Sequence, residues 1–222
     1  MLLRRILVAP ALVVLVMLMA TACGGDDSPA KSDDGSAVSA TTQDNGYRAA
    51  KVEPPFDKPD IVLTNTDGEP FDLRQETEGY ITLLYVGYTH CPDICPMHMV
   101  DIAKTLDALP AEQADRVKVV FVTADPARDT PEALREWLDH FDTSFIGLTG
   151  SDEQIAAFHE QLSLPLPKTT DLGDGDYAVS HAAFVLAYTT DDKASLVMPS
   201  GFQQDDWLHD VDKLTTEGWS DS

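Results

Sequence analysis

The sequence of residues 80–109, YITLLYVGYTHCPDICPMHMVDIAKTLDAL, contains a strand, a loop with two cysteines and a helix in immediate succession. The run Tyr80–Tyr88 is mostly apolar and follows a glycine, a pattern typical of a buried strand. From Pro96 to Leu109, apolar residues recur at helical spacing. A proline in the first turn costs no hydrogen bond, because that N–H has no intrahelical partner. The stretch therefore predicts a strand–loop–helix unit with Cys91 and Cys95 in its loop.

The remainder of the chain alternates strands and helices around this unit. Asp129 and Thr130 are candidate caps for one further helix, and Ser151 is a candidate cap for another. The order predicts an α/β, thioredoxin-like fold with an additional N-terminal β-hairpin that turns at Asp67-Gly68. The supporting segments are a hairpin strand pair in IVLTNTDGEPFDL (61–73), a strand VKVVFVTA (117–124), helices DTPEALREWLDHF (129–141) and SDEQIAAFHEQL (151–162), a hairpin of AAFVLAYT (182–189) and ASLVMPSG (194–201), and a closing helix DDWLHDVDKL (205–214).

The N-terminus has the organisation of an export signal. Two arginines are followed by an apolar run and then by small residues that end at Cys23. This resembles a bacterial lipoprotein signal, which implies a signal peptide over 1–22, lipidation of Cys23 and a protein held at the extracytoplasmic face of the cell membrane. An uncleaved membrane anchor is the alternative. Residues 23–50 are small, polar and acidic, so we expect a disordered tether, followed by one domain over 51–218.

The charge of the chain excludes one class of partner. Its formal net charge is −23, with 38 acidic and 15 basic residues. A surface of this sign repels the phosphates of nucleic acid, so nucleic acid is not an expected ligand. We interpret the charge as a solvated surface that keeps an exported protein soluble.

The CxxxC pair has three possible roles: a structural disulfide, a redox dithiol or a metal clamp. Each cysteine precedes a proline, which disfavours helical backbone, so we expect both to lie outside the helix, with Cys95 at its N-cap. There the helix dipole lowers a thiol pKa, and both sulfurs should be accessible. A disulfide closing so short a loop constrains little chain entropy, which weakens the structural role.

Two thiolates alone do not complete a zinc site or an iron–sulfur cluster. Cu(I) is soft, accepts low coordination and suits two thiolates with one imidazole. His181, which we expect to open a strand, is one candidate for the third ligand, and His90 and His98 are two others. The remaining three histidines, His140, His159 and His209, are expected at the surface.

Four motifs in this order resemble the Sco/SenC family of copper-handling proteins: VGYTHCPDICP (86–96), FVTADPARDTPEALREWLDHF (121–141), FIGLTG (145–150) and DYAVSHAAFVLAY (176–188). The resemblance covers about Pro54 to Leu214. It implies a thioredoxin-like fold in which Cys91, Cys95 and His181 bind copper as Cu(I), with Cu(II) left open. It also implies that Asp125 supports the site or a partner surface. Ser180 stands where many members have an aspartate before the ligand histidine. His98, Met97 or Met99 are candidates to assist copper transfer.

The resemblance further implies a role in assembling the CuA site of cytochrome c oxidase subunit II. The protein would deliver copper to that site, keep its cysteines reduced, or do both, and a thiol reductant protein would regenerate the Cys91–Cys95 pair. The competing interpretations are a thiol-disulfide oxidoreductase and a redox or copper sensor on the same fold. Because the spacing is CxxxC rather than CxxC, and no proline precedes the late strand in YAVSHAAF, metal binding is favoured over enzymatic turnover.

Overall fold

The computed structural model describes residues 39–41 and 46–219. Its strands are β1 (Ser39–Thr41), β2 (Ala50–Asp57), β3 (Val62–Asn65), β4 (Pro70–Asp72), β5 (Ile81–Gly87), β6 (Val117–Thr123), β7 (Ile146–Thr149), β8 (Thr169–Gly173), β9 (Asp176–Val179), β10 (Phe184–Tyr188) and β11 (Lys193–Pro199). Its helices are α1 (Leu73–Glu76), α2 (Ile94–Ala108), α3 (Ala111–Ala114), α4 (Pro131–Leu138), α5 (Asp152–Gln161) and α6 (Gln204–Thr216).

Nine of these strands form one mixed sheet in the order β1-β2-β11-β10-β5-β6-β7-β3-β4. The neighbours β5–β6 and β6–β7 are parallel, and the other pairs are antiparallel. Every residue of β5 is buried, as its apolar run predicts. Strands β8 and β9 form a separate two-stranded hairpin.

The predicted thioredoxin-like α/β fold is confirmed by this mixed sheet and its helical connections. The additional hairpin forms as β3 and β4 and pairs with β7 at one edge of the sheet. Its turn contains Gly68 at φ +78°, a left-handed conformation that glycine adopts without a steric penalty. The predicted caps Thr130 and Ser151 accept hydrogen bonds from the first turns of α4 and α5.

The N-terminal predictions fall largely outside the described residues. The predicted signal peptide over 1–22 and the predicted lipidation site Cys23 lie outside the described residues, so both stay predictions. Within the predicted tether, Ser39–Thr41 pairs antiparallel with β2, from Ser39 opposite Glu53 to Thr41 opposite Lys51. Across the described ranges, no helix combines the length and apolarity needed to cross a bilayer.

Helix α2 begins earlier than predicted. Its first residue is Ile94 and its N-cap position is Asp93, so Cys95 is the second residue of the helix rather than its N-cap. The expectation that both cysteines lie outside the helix is therefore wrong for Cys95. Pro96 disfavours helical backbone at Cys95 but does not forbid it, and the first-turn N–H that proline lacks would have no helical partner in any case.

The register between β5 and β10 positions the functional residues. The two strands are antiparallel, with Tyr85 opposite Val185 and Thr82 opposite Tyr188. The end of β5, which leads to the cysteines, therefore meets the beginning of β10, which follows His181. Helices α2 and α6 pack together, and the amide of Gln204 donates to the Thr105 hydroxyl at 2.8 Å.

Replacement of Asp210 by alanine tests how the first long strand is attached to α6. The fully buried Asp210 carboxylate accepts the backbone N–H groups of Arg48 at 3.0 Å and Ala49 at 2.7 Å. Because Asp210→Ala leaves these donors without a partner, we expect the free energy of unfolding to fall by about 2–3 kcal/mol. Urea denaturation measures this change. Asp212→Ala, two residues along the same helix and exposed, should change it by less than about 0.5 kcal/mol, and equal effects would contradict the assignment.

Candidate metal centre

Three side chains that are distant in sequence meet beside the sheet. The Nε2 atom of His181 lies 3.6 Å from the Sγ atom of Cys91 and 3.6 Å from that of Cys95. The three atoms all lie within 4.8 Å of one another, and within the described part of the chain this is the one His/Cys/Asp/Glu group so arranged. The structure therefore brings together the three residues predicted as ligands, although His181 is 90 positions from Cys91.

A buried carboxylate fixes the turn that leads to Cys91. Asp129 accepts the backbone N–H of Thr89 at 3.0 Å, the Thr89 hydroxyl at 2.6 Å and the Thr123 hydroxyl at 2.6 Å. The N–H of Cys91 then donates to the carbonyl of Tyr88 at 3.1 Å and closes the turn. Asp129, predicted as a candidate cap, thus holds the ends of β5 and β6 together.

The two sulfurs have different environments. Cys91 is 9% exposed, whereas Cys95 is fully buried and receives a hydrogen bond from the Tyr85 hydroxyl at 3.4 Å. A Cβ atom on Gly87 would lie 2.7 Å from the Cys95 sulfur, so glycine is required where β5 passes the helix. The prediction that both sulfurs are accessible is therefore wrong: both cysteines are buried, and Cys95 is completely so because the helix begins early and turns that side chain inward.

The protonation of the two thiols follows their environments. The hydrogen bond from the Cys95 thiol, with backbone N–H groups of residues 93 and 95, lowers the pKa of Cys91. Burial raises the pKa of Cys95, which keeps its proton. Burial also raises the pKa of Tyr85, so its hydroxyl remains a donor. The pair thus combines one sulfur with a lowered pKa and one with a raised pKa, rather than the two thiolate-competent sulfurs that the sequence predicts.

His181 lies in the connection between β9 and β10, rather than at the start of a strand as predicted. Its Nδ1 atom lies 2.9 Å from the carbonyl oxygen of Ala182. If Nδ1 carries the proton and donates it there, the lone pair of Nε2 is directed to the sulfurs. The backbone carbonyl thus fills the orienting role that Ser180, in place of an aspartate, cannot provide.

The other histidines lie outside this group. His98 is buried, with its ring 4.8 Å from that of Tyr85, and burial lowers its pKa. His90 is half-exposed and contacts the Thr89 hydroxyl. The surface prediction is wrong for His159, which is buried and bonded to the carbonyl of Pro165. His140 is exposed, and His209 is partly exposed beside Asp210.

The donor set fits one metal better than others. Two sulfurs and one imidazole nitrogen match Cu(I), which is soft and accepts three ligands. A closed zinc site or an iron–sulfur cluster needs about four protein ligands. The described residues place no fourth His, Cys, Asp or Glu within this group.

Sequence reasoning missed the groups that support the three candidate ligands. Tyr85 belongs to an apolar strand and carries no signal of its contact with Cys95. Tyr88 packs edge-on against His181 with ring centroids 5.5 Å apart. Asp125 was expected to support the site, and it is buried and accepts the Tyr177 hydroxyl at 3.0 Å. These contacts join segments that are distant in sequence, so no local pattern shows them.

Comparison with known proteins places the chain among Sco proteins. The SCO1/SenC family model matches residues 48–216. A relative from Stutzerimonas stutzeri, whose name refers to copper binding, is 39% identical over 124 residues, which are 56% of this chain and 60% of the relative. The matched part thus spans about three fifths of that curated relative.

Solved structures share the fold. The structure of Bradyrhizobium japonicum ScoI with copper bound has a TM-score of 0.62 and 30% identity, covering 72% of this chain and 96% of that one. BsSco, described as a member of the Sco family of cytochrome c oxidase assembly proteins, has a TM-score of 0.56 and 23% identity, covering 75% of this chain and 98% of its own. At that identity the likeness to BsSco concerns the fold alone.

Alkylation tests the difference between the two thiols. In the reduced protein, iodoacetamide at pH 7 should modify Cys91 much faster than Cys95, because the pKa of Cys91 is lowered and 9% of that residue stays exposed, whereas Cys95 is fully buried with a raised pKa. Since the pKa of Cys91 lies below that of an ordinary thiol, its labelling should persist at pH values where a free thiol is largely protonated. Peptide mapping by mass spectrometry measures each site, with Cys91→Ser as the control. Equal labelling rates would contradict the asymmetry.

Proposed function

The chain belongs to the SCO1/SenC family, and from that premise we propose that it is a copper chaperone for the assembly of cytochrome c oxidase. In this proposal, Cys91, Cys95 and His181 hold one Cu(I) ion as cargo. The convergence of these three donors from two distant segments is the observation that carries the proposal. Copper binding is further supported by the copper-bound state of the B. japonicum structure.

In the proposed site, each of the three donors contributes to copper binding in a different way. Cys91, with its lowered pKa and 9% exposure, is the less buried of the two sulfurs and in this proposal meets an incoming ion first. Cys95 loses its proton when the metal binds, since the thiolate is the ligand form. The imidazole of His181 contributes its Nε2 atom, and in this proposal the Nδ1–H group donates to the Ala182 carbonyl and orients the ring. A three-coordinate soft site of this kind leaves room for a ligand of the receiving protein, which suits transfer.

The proposed recipient is the CuA site of cytochrome c oxidase subunit II. This step extends to the present chain the role in oxidase assembly that is stated for the family of BsSco. We further propose that lipid on Cys23 tethers the domain to the extracytoplasmic face of the membrane. The support is the sequence alone, namely the basic, apolar and small-residue order before Cys23 and the polar segment after it.

A thiol-disulfide reductase of the CuA cysteines is the second candidate. The specific observation is a pair of free, adjacent thiols of which Cys91 has a lowered pKa. The Cys91 thiolate attacks one sulfur of the target disulfide and forms a mixed disulfide, releasing the first target thiolate. Cys95 then gives up its proton and attacks the Cys91 sulfur, which releases the second target sulfur as a thiol carrying that proton and leaves a Cys91–Cys95 disulfide. The target gains the two electrons that the pair loses, and a thiol reductant protein must restore them.

Serine and alanine variants test the ligand set. The reduced protein should bind one Cu(I), and the Cys91→Ser, Cys95→Ser double variant should lose tight binding, because a hydroxyl is neither soft nor ionised at neutral pH. His181→Ala should weaken binding and still permit the Cys91–Cys95 disulfide. Competition with a chromophoric Cu(I) chelator measures the affinities. His98→Ala and His90→Ala are the matched controls, and a larger loss in either than in His181→Ala would refute the assignment.

Reduction of insulin separates the two candidate functions. In a CxxxC pair with one fully buried sulfur, that sulfur is poorly accessible to unrelated disulfides. We therefore expect this protein to reduce insulin slowly compared with a thioredoxin. Cells that lack this protein should lose cytochrome c oxidase activity selectively, and added copper should restore part of it. Rapid insulin reduction together with normal oxidase assembly in such cells would favour the enzyme.

A further inference from the structure

The hairpin of β8 and β9 carries His181 but is not part of the main sheet. Strand β9 ends at Val179, and His181 follows two residues later. The five residues of β8 are all exposed, and the hairpin pairs with no strand of the nine-stranded sheet. Its position therefore depends on side-chain contacts rather than on a continuous ladder of backbone hydrogen bonds.

One guanidinium group makes several of the contacts that hold this hairpin, besides the burial of Val179 in the core. Arg128, in the connection between β6 and α4, is only 18% exposed. It pairs with Asp176 at 3.0 Å, donates to the carbonyl of Tyr177 at 2.9 Å, and lies 3.6 Å from the centroid of the Tyr177 ring. Its Nε donates to Asp125, which also accepts the Tyr177 hydroxyl at 3.0 Å. Two residues of the hairpin are thus held by one side chain and its buried carboxylate partner.

The same guanidinium also faces the segment that leads to the cysteines. It lies 5.7 Å from the ring centroid of Tyr88, and that ring packs against His181 at 5.5 Å between centroids. The carbonyl oxygen of Tyr88 in turn accepts a hydrogen bond of 3.1 Å from the N–H of Cys91. Arg128 therefore contacts both chain segments that supply the sulfur and nitrogen donors, through Tyr88 on one side and the hairpin on the other.

We propose that Arg128 is a positioning residue that holds His181 opposite Cys91 and Cys95 through the β8–β9 hairpin. The inference rests on the proposed copper site and adds a residue that determines its affinity. A planar guanidinium suits this place because it donates in several fixed directions and stacks on an aromatic face at the same time. Without these contacts the hairpin holds His181 opposite the cysteines in a smaller fraction of the molecules. The apparent affinity for copper falls by the same factor as this fraction.

Variants of Arg128 test the proposal in the full chain. Arg128→Met should weaken Cu(I) binding by about 10- to 100-fold, the usual range for residues that orient a ligand. The Cu(I) affinity of Arg128→Lys should lie between those of the wild type and of Arg128→Met. Lysine keeps the positive charge near Asp125 and Asp176 but lacks the planar group that stacks on Tyr177 and donates in several directions. Arg48→Met, which removes an exposed pair with Asp206, is the matched control and should leave the affinity unchanged.

A double-mutant cycle separates positioning from general destabilisation. In the His181→Ala background, Arg128→Met should cause no further loss of Cu(I) affinity, because the residue acts through His181. In the metal-free protein, hydrogen exchange by mass spectrometry should show faster exchange over 169–183 and unchanged exchange in β5 and β6. Wild-type affinity in Arg128→Met, or a loss that adds fully to that of His181→Ala, would overturn the proposal.

A second variant covers the case in which Arg128→Met does not fold, as judged by circular dichroism. Tyr177→Phe removes only the hydroxyl bonded to Asp125 and should lower the affinity in the same direction by a smaller factor. An unchanged affinity in that variant would then overturn the proposal. If the double cysteine variant still binds copper, the proposed copper site is wrong. If that variant loses copper binding but the Arg128 and Tyr177 variants keep wild-type copper affinity, only the positioning role is wrong.

Discussion

The antiparallel pairing of β5 with β10 is the constraint on which the site depends. It places Tyr85 opposite Val185, so the segment leaving β5 toward Cys91 emerges where the segment carrying His181 enters β10. A slip of one residue would turn every side chain of one strand to the opposite face of the sheet. Because Leu83, Tyr85, Val185 and Ala187 are all buried, such a slip would break the core, and the same packing that stabilises the sheet fixes the distance between donors.

The pair of cysteines is made unequal by its position on the fold. An early helix start buries Cys95 against β5, with Gly87 allowing the approach and Tyr85 donating to the sulfur. Cys91 is less deeply buried, has a lowered pKa and is held by the turn that Asp129 fixes. In the proposed functions, the less buried sulfur meets a partner while the other stays in the interior. The same arrangement suits both copper transfer and thiol exchange, so the two candidate functions share residues.

Charge and geometry act at different ranges in this protein. The strongly acidic chain, with a net charge of −23, attracts cations generally but does not distinguish copper from other metals. In the proposed site, selectivity for Cu(I) would come from two sulfurs and one imidazole held within 4.8 Å of one another. That arrangement in turn requires a hairpin outside the main sheet to be held in place, and the cluster of Arg128, Asp125 and Tyr177 provides the contacts that do so.

The sequence by itself determined the order of the main strands and helices, but not strand β2, the β8–β9 hairpin or the start of α2, and its motifs indicated the chemical type of the site. Apolar runs and helix caps depend on neighbouring residues, so the β5–α2 unit, the caps at Thr130 and Ser151 and the additional hairpin were predicted from local pattern. The motifs that resemble Sco/SenC proteins gave the three candidate ligands. The tertiary structure decided that Cys95 is buried, that His159 is buried rather than exposed, that Asp129 fixes a turn, and that Arg128 joins two segments. Each of these depends on contacts between residues distant in sequence, and burial and pKa follow from such contacts rather than from residue type.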